Sequence, residues 1–245
     1  MIHIQKMMQE NLLCDILIAG GGPAGAMAAL SARQAAPDLS VCFVDRANEI
    51  RPRIGEALLT GTIMTLDDAG LIPALQAEGF HKKIGATYIW GETRSPWYVE
   101  YPPSDAPYPP EFTHEAGRYA IHVDRPKFDA FLRRQAIAAG ASLVDGQVSR
   151  IEFGETGRAL HAELADGRRI HFRHFIDATG QAALTGNLTR MRRPVGLRRV
   201  ARHGYTRSID WEKAEANGLG FHRTNIISSE NGWIWVIHLG EAGQD

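Results

Sequence analysis

The chain has 245 residues, of which 44% are hydrophobic, and this composition excludes disorder as its main state. Its 27 basic and 28 acidic residues give a net charge of −1, which argues against nucleic acid or an anionic membrane as partner. No stretch approaches the roughly 20 apolar residues that cross a bilayer, and residues 1–13 lack the features of a secretory signal. The two cysteines, Cys14 and Cys42, lie in apolar β-like runs and are predicted to be small core residues rather than a disulfide or metal pair. This favours a reducing cytoplasm as the location of the protein.

The first predicted elements form a β-α-β unit. Residues 15–19 are a short apolar run that predicts a buried strand, and the turn Gly20-Gly21-Gly22-Pro23-Ala24-Gly25 follows it. An alanine-rich helix is predicted over 23–34, since the first helical position tolerates proline. A second strand is predicted over 41–44, and Asp45 ends it.

The glycine turn has the residue types that a dinucleotide site requires. Gly20 permits a tight turn, Gly22 lets the backbone approach a pyrophosphate, and Gly25 allows close packing of helix and strand. The pyrophosphate would lie on the amides and the positive end of the helix. Asp45, twenty residues after Gly25, is placed to bind a ribose diol. Arg46 could instead accommodate a 2′-phosphate, so this unit alone does not separate FAD from NAD, and a glycine turn without ligand is the alternative.

The middle of the chain predicts two further helices around an irregular segment. A helical stretch is predicted with Leu58, Leu59, Ile63 and Leu66 on one side, and Gly70 closes it. Residues 95–115 contain six prolines, which predicts a surface loop over a cleft or a plain connector. A strand over 119–123 precedes a helix with Asp124 as N-cap. The apolar stripe of that helix comprises Phe128, Phe131, Leu132 and Ile137.

The last part of the chain alternates with a period of two and predicts short strands. The predicted strands are residues 148–153, 159–164 and 169–176, with a hairpin turn at 165–167. A second hairpin is predicted over 226–239, centred on Glu230-Asn231-Gly232.

Four blocks in order resemble the flavoprotein monooxygenase and flavin-dependent halogenase superfamily. They are residues 15–25, Arg53-Ile54-Gly55-Glu56-Ala57, residues 122–129 and Asp177-Ala178-Thr179-Gly180. A fifth block, Gly232-Trp233-Ile234-Trp235-Val236-Ile237, is similar to the Trp-x-Trp-x-Ile signature of the halogenase branch, although His238 stands where that signature has proline. The resemblance implies an α/β fold, with a Rossmann-like, glutathione-reductase-like FAD-binding domain (residues 12–90 and 118–190). A partial mixed-sheet substrate domain would comprise residues 91–117 and 191–245.

The resemblance also assigns roles around FAD. It places Gly55 and Glu56 beside the flavin, Arg125 at the cofactor, Val148 near the adenine, and Thr179 and Gly180 near the phosphates. It also implies that Arg53 and Asp177 are cofactor-binding residues. Each has an ordinary structural alternative. Gly55 could simply start a helix in which the dipole favours Glu56, and Arg125 could lie on the surface.

Three further features bear on mechanism. Ala178-Thr179-Gly180 is similar to branches that receive reduced flavin from a separate reductase. Lys83 matches the active-site lysine of halogenases, with Lys82 as the match if the register slips by one, and a solvated lysine as the alternative. Trp233 and Trp235 share one face of a strand, and two aromatic residues on one face usually belong to a core. The resemblance instead places both at the substrate chamber, with Trp235 as a catalytic candidate. His161, His171 and His174 have no convergent ligands, so no metal site is predicted.

These features lead to one main expectation and three alternatives. The main one is an FAD-dependent monooxygenase that hydroxylates an electron-rich aromatic group through a flavin C4a-hydroperoxide. The indole- or phenol-like substrate could be free, carrier-bound or a protein-bound tryptophan. The alternatives are a flavin-dependent halogenase that uses Lys83, a flavin-dependent isoprenoid reductase and a truncated non-catalytic scaffold. The family is longer than this chain and returns a Gly-Asp segment to the flavin after the region where the sequence stops, so a fragment, or a site completed elsewhere, is expected.

Overall fold

The structure is a computed structural model that describes residues 11–46, 50–101, 118–193, 196, 199–207 and 209–240. Most of the predicted loop at 95–115 therefore lies outside the described residues. The chain divides into two compact units. The first comprises residues 1–51 and 128–198, and the second comprises residues 52–127 and 199–245. These units are defined by packing within each of them. The predicted division into an FAD-binding domain and substrate-domain segments stays a prediction.

Twelve strands and six α-helices occur in the described part of the chain. The strands are β1 Asn11–Ala19, β2 Val41–Asp45, β3 His81–Lys83, β4 Gly85–Ile89, β5 Pro96–Glu100, β6 Ala120–His122, β7 Ser142–Asp145, β8 Val148–Phe153, β9 Ala159–Leu164, β10 Arg169–Asp177, β11 Arg223–Ser229 and β12 Gly232–Val236. The helices are α1 Pro23–Ala35, α2 Thr60–Asp68, α3 Ile72–Ala77, α4 Arg125–Ala138, α5 Leu184–Leu188 and α6 Trp211–Ala216. None of the described helices has the length and apolar character needed to cross a membrane.

The first unit is built on a six-stranded sheet in the order β7-β2-β1-β10-β9-β8. Strands β7, β2, β1 and β10 are parallel, and β9 and β8 add to them antiparallel as a meander. β1 lies at the centre, and its side chains Leu17 and Ile18 are fully buried because both sheet faces are covered. This is the predicted β-α-β unit plus meander, so the predicted Rossmann-like fold class is confirmed.

Helix α4 contributes most of its predicted stripe to the core, with one exception. Phe128, Phe131 and Leu132 are buried, whereas Ile137 is 47% exposed. Ile137 lies nine residues after Phe128, which at 100° per residue puts it half a turn away from the stripe. Ala136, which is buried, continues the stripe instead, so the prediction for Ile137 was wrong.

The second unit contains a four-stranded sheet, β12-β11-β4-β5, and the antiparallel pair β3-β6. β11 runs parallel to β4 and forms the predicted hairpin with β12. β5 lies inside the segment for which a loop was predicted; it pairs antiparallel with β4, although Pro96 begins it. An edge strand tolerates proline because one side of its backbone has no ladder partner.

One face of this four-stranded sheet carries exposed aromatic side chains. Trp233 lies opposite Ser228, and Trp235 lies opposite Ile226, so both point to the same face as predicted. Trp233 is 38% and Trp235 49% exposed, so the ordinary alternative of a core position does not describe them, and their predicted place at a substrate chamber stays a prediction. Thr87, Ile89 and Asn225 are buried on the opposite face, so that face is covered in this part of the sheet.

Candidate functional site

The glycine turn after β1 is packed so closely that two of its positions exclude any side chain. Gly20 has φ +106°, and a Cβ there would lie 2.3 Å from the carbonyl oxygen of Ala178. A Cβ on Gly25 would lie 1.8 Å from the carbonyl oxygen of Gly20. The Gly20 amide donates to the Val44 carbonyl at 2.8 Å, which ties the turn to β2. The predicted reasons for Gly20 and Gly25, a tight turn and close helix–strand packing, describe this geometry.

Gly22 differs from these two glycines because its side is open. A Cβ built on it would meet no described atom within 4 Å. Gly22 is the N-cap of α1 without a side-chain cap, and Pro23 and Ala24 begin the helix, whose first-turn amides have no intrahelical acceptor. The open side of Gly22, first-turn amides without an intrahelical acceptor and the positive end of a 13-residue helix fit a pyrophosphate.

Asp45 lies beside this turn, as predicted, and is held there by a buried arginine. Its Oδ2 accepts from the Gly21 amide at 2.9 Å and from Nη2 of Arg133 at 2.5 Å. Its Oδ1 accepts from the Arg46 amide at 2.8 Å, while the Arg46 side chain is exposed. Sequence reasoning missed Arg133; the only signal was an arginine directly after buried Leu132 in the α4 stripe.

The block Asp177-Ala178-Thr179-Gly180 begins at the last residue of β10 and lies beside the end of β1, on the side opposite β2. Asp177 Oδ1 accepts from the amide and the hydroxyl of Thr179, and Oδ2 accepts from the amide and the hydroxyl of Thr185, at 2.6–3.0 Å. Burial by itself raises the pKa of Asp177, but the hydrogen bonds from Thr179 and Thr185 outweigh it, and the pKa lies below its usual value. Gly180, with φ +62°, starts a short 3-10 turn. Sequence reasoning missed Thr185.

Replacing Thr185 by valine is expected to lower the free energy of unfolding by about 1 kcal/mol, because the Asp177 carboxylate loses the hydroxyl donor but keeps the amide. The loss should disappear at a pH low enough to protonate Asp177. Urea unfolding at two pH values measures it, with Thr189→Val as control, since the Thr189 hydroxyl bonds a helix carbonyl. Equal losses for the two variants would contradict the expectation.

In the second unit, the Gly55-Glu56 turn is fixed by an arginine and a tyrosine. Gly55 has φ +121°, and a Cβ there would lie 2.6 Å from Nη1 of Arg125, which donates to the Ile54 carbonyl at 2.7 Å. Glu56 is buried and accepts from the Gly55 amide at 2.8 Å and from the Tyr205 hydroxyl at 3.4 Å. Neither ordinary alternative for this block describes it, because Gly55 does not begin a helix and Arg125 packs on the turn. Tyr205 was not found from the sequence.

Lys83 is the most unusual side chain of the second unit. It is 4% exposed, although β3 is only three residues long and Lys82 beside it is exposed. Its Nζ donates to the Leu58 carbonyl at 3.2 Å and lies 5.7 Å from the centre of the Tyr101 ring. Burial lowers the pKa of Lys83. The alternative of a solvated lysine describes Lys82, not Lys83.

A group of histidines surrounds the same strand pair. His81 lies opposite His122 in the β3-β6 pair, stacks on His222 at 4.7 Å between ring centres and meets His238 edge-on at 4.5 Å. His122 is fully buried, and its Nε2 lies 3.0 Å from the Thr224 hydroxyl. Burial first, and then the charge of Lys83, lower the pKa of His122 to about 3. Across the described residues, no three His, Cys, Asp or Glu side chains are arranged to hold a metal ion.

The other predicted site residues do not show a specific arrangement. Arg53 is exposed. Val148 is buried in the core cluster of the six-stranded sheet, so packing is a sufficient reason for its type, and its predicted place near an adenine stays a prediction. Cys14 is buried, as predicted for a core residue, whereas Cys42 is only partly buried.

The parallel β-α-β unit, its glycine turn, its open helix start and the carboxylate that ends its second strand define a dinucleotide-binding protein of the Rossmann-like class. A family model described as tryptophan halogenase matches residues 15–114 and 103–243. The chain belongs to this family, which confirms the resemblance drawn from the sequence blocks.

Individual relatives agree with the family. The tryptophan 2-halogenase of Chondromyces crocatus is 32% identical over 95% of this chain and 42% of its own length. The sulochrin halogenase gedL of Aspergillus terreus is 30% identical over 91% of this chain and 43% of its own length. The chain therefore spans less than half of these relatives. Among solved structures, the myxobacterial chondrochloren halogenase CndH, described as a variant of FAD-dependent halogenases, has a TM-score of 0.67 at 22% identity, over 93% of this chain and 50% of its own.

Proposed function

We propose that the protein takes part in the FAD-dependent halogenation of an electron-rich aromatic group. The observation that carries this proposal is the buried ammonium of Lys83 at the position that the halogenase resemblance assigns to the active-site lysine. The family and its named relatives support it, since they are halogenases. Hydroxylation, the main expectation from the sequence, has no such support, and the halogenase alternative fits the comparisons better.

FAD is the cofactor that the residues of the first unit fit. The turn from Gly20 to Gly25 and the amides of α1 would hold the pyrophosphate, and Asp45 would bind the ribose. Thr179 and Gly180 would complete the phosphate region. Gly55 and Glu56 are proposed to lie beside the flavin, and Arg53 and Arg125 are proposed to bind the cofactor, as the resemblance implies. When bound and reduced, FAD would supply the chemistry that activates oxygen. The protein would bind the cofactor and orient it.

Lys83 has the properties of a group that binds an electrophilic halogen species. Burial lowers its pKa, so its amine is more readily available as a lone-pair donor than that of an exposed lysine. The carbonyl of Leu58, which accepts from Nζ, fixes the amine in place. In this role Lys83 would accept or orient hypohalous acid and present the halogen to the aromatic ring.

The substrate and partners follow from the same proposal. The exposed face with Trp233 and Trp235 is proposed to line the chamber for an aromatic substrate, which could be free, carrier-bound or a protein residue. Electrons are proposed to come from a separate flavin reductase, because Ala178-Thr179-Gly180 is similar to the branches that need one. The cytoplasm stays the predicted location, in keeping with the free cysteines.

The test is a halogenation assay with Lys83→Met. The protein is supplied with FAD, a flavin reductase, NADH, oxygen, halide and an indole substrate, and products are identified by mass. We expect halide-dependent product from the wild type and a loss of at least about 100-fold in Lys83→Met, since removal of an essential reacting group costs this much or more. Oxidation of reduced flavin should persist in the variant.

Lys82→Met is the matched control, because Lys82 is the exposed neighbour on the same strand, 4.9 Å from the Tyr119 ring centre. Its activity should stay within about twofold of the wild type, as expected for a surface substitution. Hydroxylated product without halide would replace the proposal by a monooxygenase. Anaerobic reduction of an isoprenoid would indicate a flavin-dependent reductase. Failure of the wild type to retain any flavin would indicate a non-catalytic scaffold.

A further inference from the structure

We propose that Arg133 is a positioning residue for the adenosine half of FAD, which it serves by fixing the Asp45 carboxylate and by offsetting its charge. The inference rests on the FAD site of the proposed function. It concerns binding only and does not depend on which reaction the bound cofactor performs.

Arg133 makes three contacts with the segments that form the site. Its Nε donates to the Gly21 carbonyl at 2.7 Å, its Nη2 to Asp45 Oδ2 at 2.5 Å, and its Nη1 to the Arg46 carbonyl at 3.4 Å. The guanidinium therefore joins the glycine turn after β1 to the end of β2. Its planar set of donors reaches all three acceptors at once, which a lysine ammonium on a flexible stem does not.

The contact also gives a reason for the middle glycine of the turn. A Cβ on Gly21 would lie 2.9 Å from Asp45 Cβ, 3.1 Å from Asp45 Oδ2 and 3.3 Å from Arg133 Nε. Any side chain at Gly21 would thus push the pair away from the turn. Gly21 therefore has no room for a side chain because the Arg133–Asp45 pair packs against it. Gly22 has free space on the side where the ligand is proposed to bind.

Charge is the second part of the inference. Arg133 is 6% exposed, and the Asp45 side chain is 24% exposed, so their pair is screened less than one on the surface. Without Arg133, the Asp45 carboxylate would stand beside the place proposed for a doubly charged pyrophosphate and repel it. With Arg133, Oδ2 is fixed by two donors, and the carboxylate is oriented to accept from a ribose hydroxyl.

The test measures ligand affinity in the Arg133→Met variant. FAD binding is followed by the quenching of flavin fluorescence, and ADP and FMN are used as probes of the two halves. We expect the affinity for FAD and for ADP to fall about tenfold or more, as for loss of a charge-assisted contact in a part-buried site, and that for FMN to change little. Arg134→Met, the exposed neighbour on α4, is the matched control and should bind as the wild type does.

A double variant separates positioning from a purely structural role. If Arg133 acts through Asp45, then Asp45→Asn with Arg133→Met should bind ADP about as well as Asp45→Asn alone, because no unpaired carboxylate remains. Independent, additive losses would overturn the inference. Should Arg133→Met not fold, Arg133→Lys keeps the charge with fewer donors and is expected to bind ADP with intermediate affinity; wild-type affinity in Arg133→Lys would also overturn it.

The inference and the proposed function fail in different ways. If the wild type retains FAD, and Arg133→Met binds both FAD and ADP with wild-type affinity, the role proposed for Arg133 is wrong and the FAD site stands. If the wild type binds neither FAD nor ADP, the proposed function itself fails. Halogenating activity enters neither result.

Discussion

Gly25→Ala is expected to unfold the first unit or to destabilise it by at least about 3 kcal/mol, because the added methyl group would lie 1.8 Å from the carbonyl oxygen of Gly20. The carbonyl oxygen and the Cα that would carry the methyl group both belong to the backbone of a turn that is fixed by further hydrogen bonds. The Gly20 amide donates to Val44, and the Ala178 amide donates to Ala19, each at 2.8 Å. Relief of the clash would require α1 to move away from β1, and Ala26 and Ala29 would then lose their burial.

Gly22→Ala provides the contrasting variant three residues earlier. Gly22 has φ −72°, which any residue adopts, and the methyl group would meet no described atom within 4 Å. The variant should therefore keep its stability to within about 1 kcal/mol of the wild type. Its affinity for FAD should nevertheless fall about tenfold or more, since the methyl group occupies the approach of the pyrophosphate to the backbone.

Thermal unfolding and FAD titration of the two variants distinguish the two roles. Gly25→Ala should lose stability first and flavin as a consequence, whereas Gly22→Ala should lose flavin while it stays folded. Equal affinity for FAD in Gly22→Ala and the wild type would contradict the pyrophosphate site at this turn. A Gly25→Ala variant of wild-type stability would contradict the close packing of α1 on β1.

The fold was predictable where short-range patterns decide it. The glycine turn, the alanine-rich helix and the period-two runs of β8 to β10 define elements of a few residues each, and these were placed correctly to within one or two residues. Long-range pairing was not predictable in the same way. β5 exists because its backbone pairs with β4, although Pro96 begins it and all five of its residues are exposed. Trp233 and Trp235 show the same limit, since a strand pattern gives a common face but not which face is covered.

The site was predictable where a motif fixes backbone geometry and less so where distant side chains converge. Gly20, Gly25 and Asp45 could be named from the sequence because the motif states the reason for each residue type, and their roles toward FAD stay proposals. Arg133 and Thr185 approach Asp45 and Asp177 from elements 88 and eight residues away, and no spacing rule links such positions. The burial of Lys83 depends on the β3-β6 pair and the loop at Leu58, so the sequence left the choice between Lys82 and Lys83 open.

The second unit is expected to lose stability as the pH falls below about 6.5, well before ordinary acid denaturation. Burial, and then the neighbouring histidines, lower the pKa of His81 to about 4, while burial and Lys83 lower that of His122 to about 3. Because the unfolded chain binds these protons near pH 6.5, both histidines stabilise the fold above that pH, and the contribution is lost as the pH falls toward 4 and 3. At pH 5 the loss for His122 alone should be about 2 kcal/mol.

Urea unfolding at pH 8, 6.5 and 5, followed by tryptophan fluorescence, measures this loss. The window lies above that of Asp177, whose lowered pKa removes stability only below its ordinary value of 3.8, so the two effects separate. His122→Gln, which keeps a partner for the Thr224 hydroxyl, should be less stable at pH 8 but show a shallower decline toward pH 5. His174→Gln, an exposed residue of β10, should keep the wild-type slope. An unchanged slope in His122→Gln would mean that the buried histidines do not control the acid stability of the second unit.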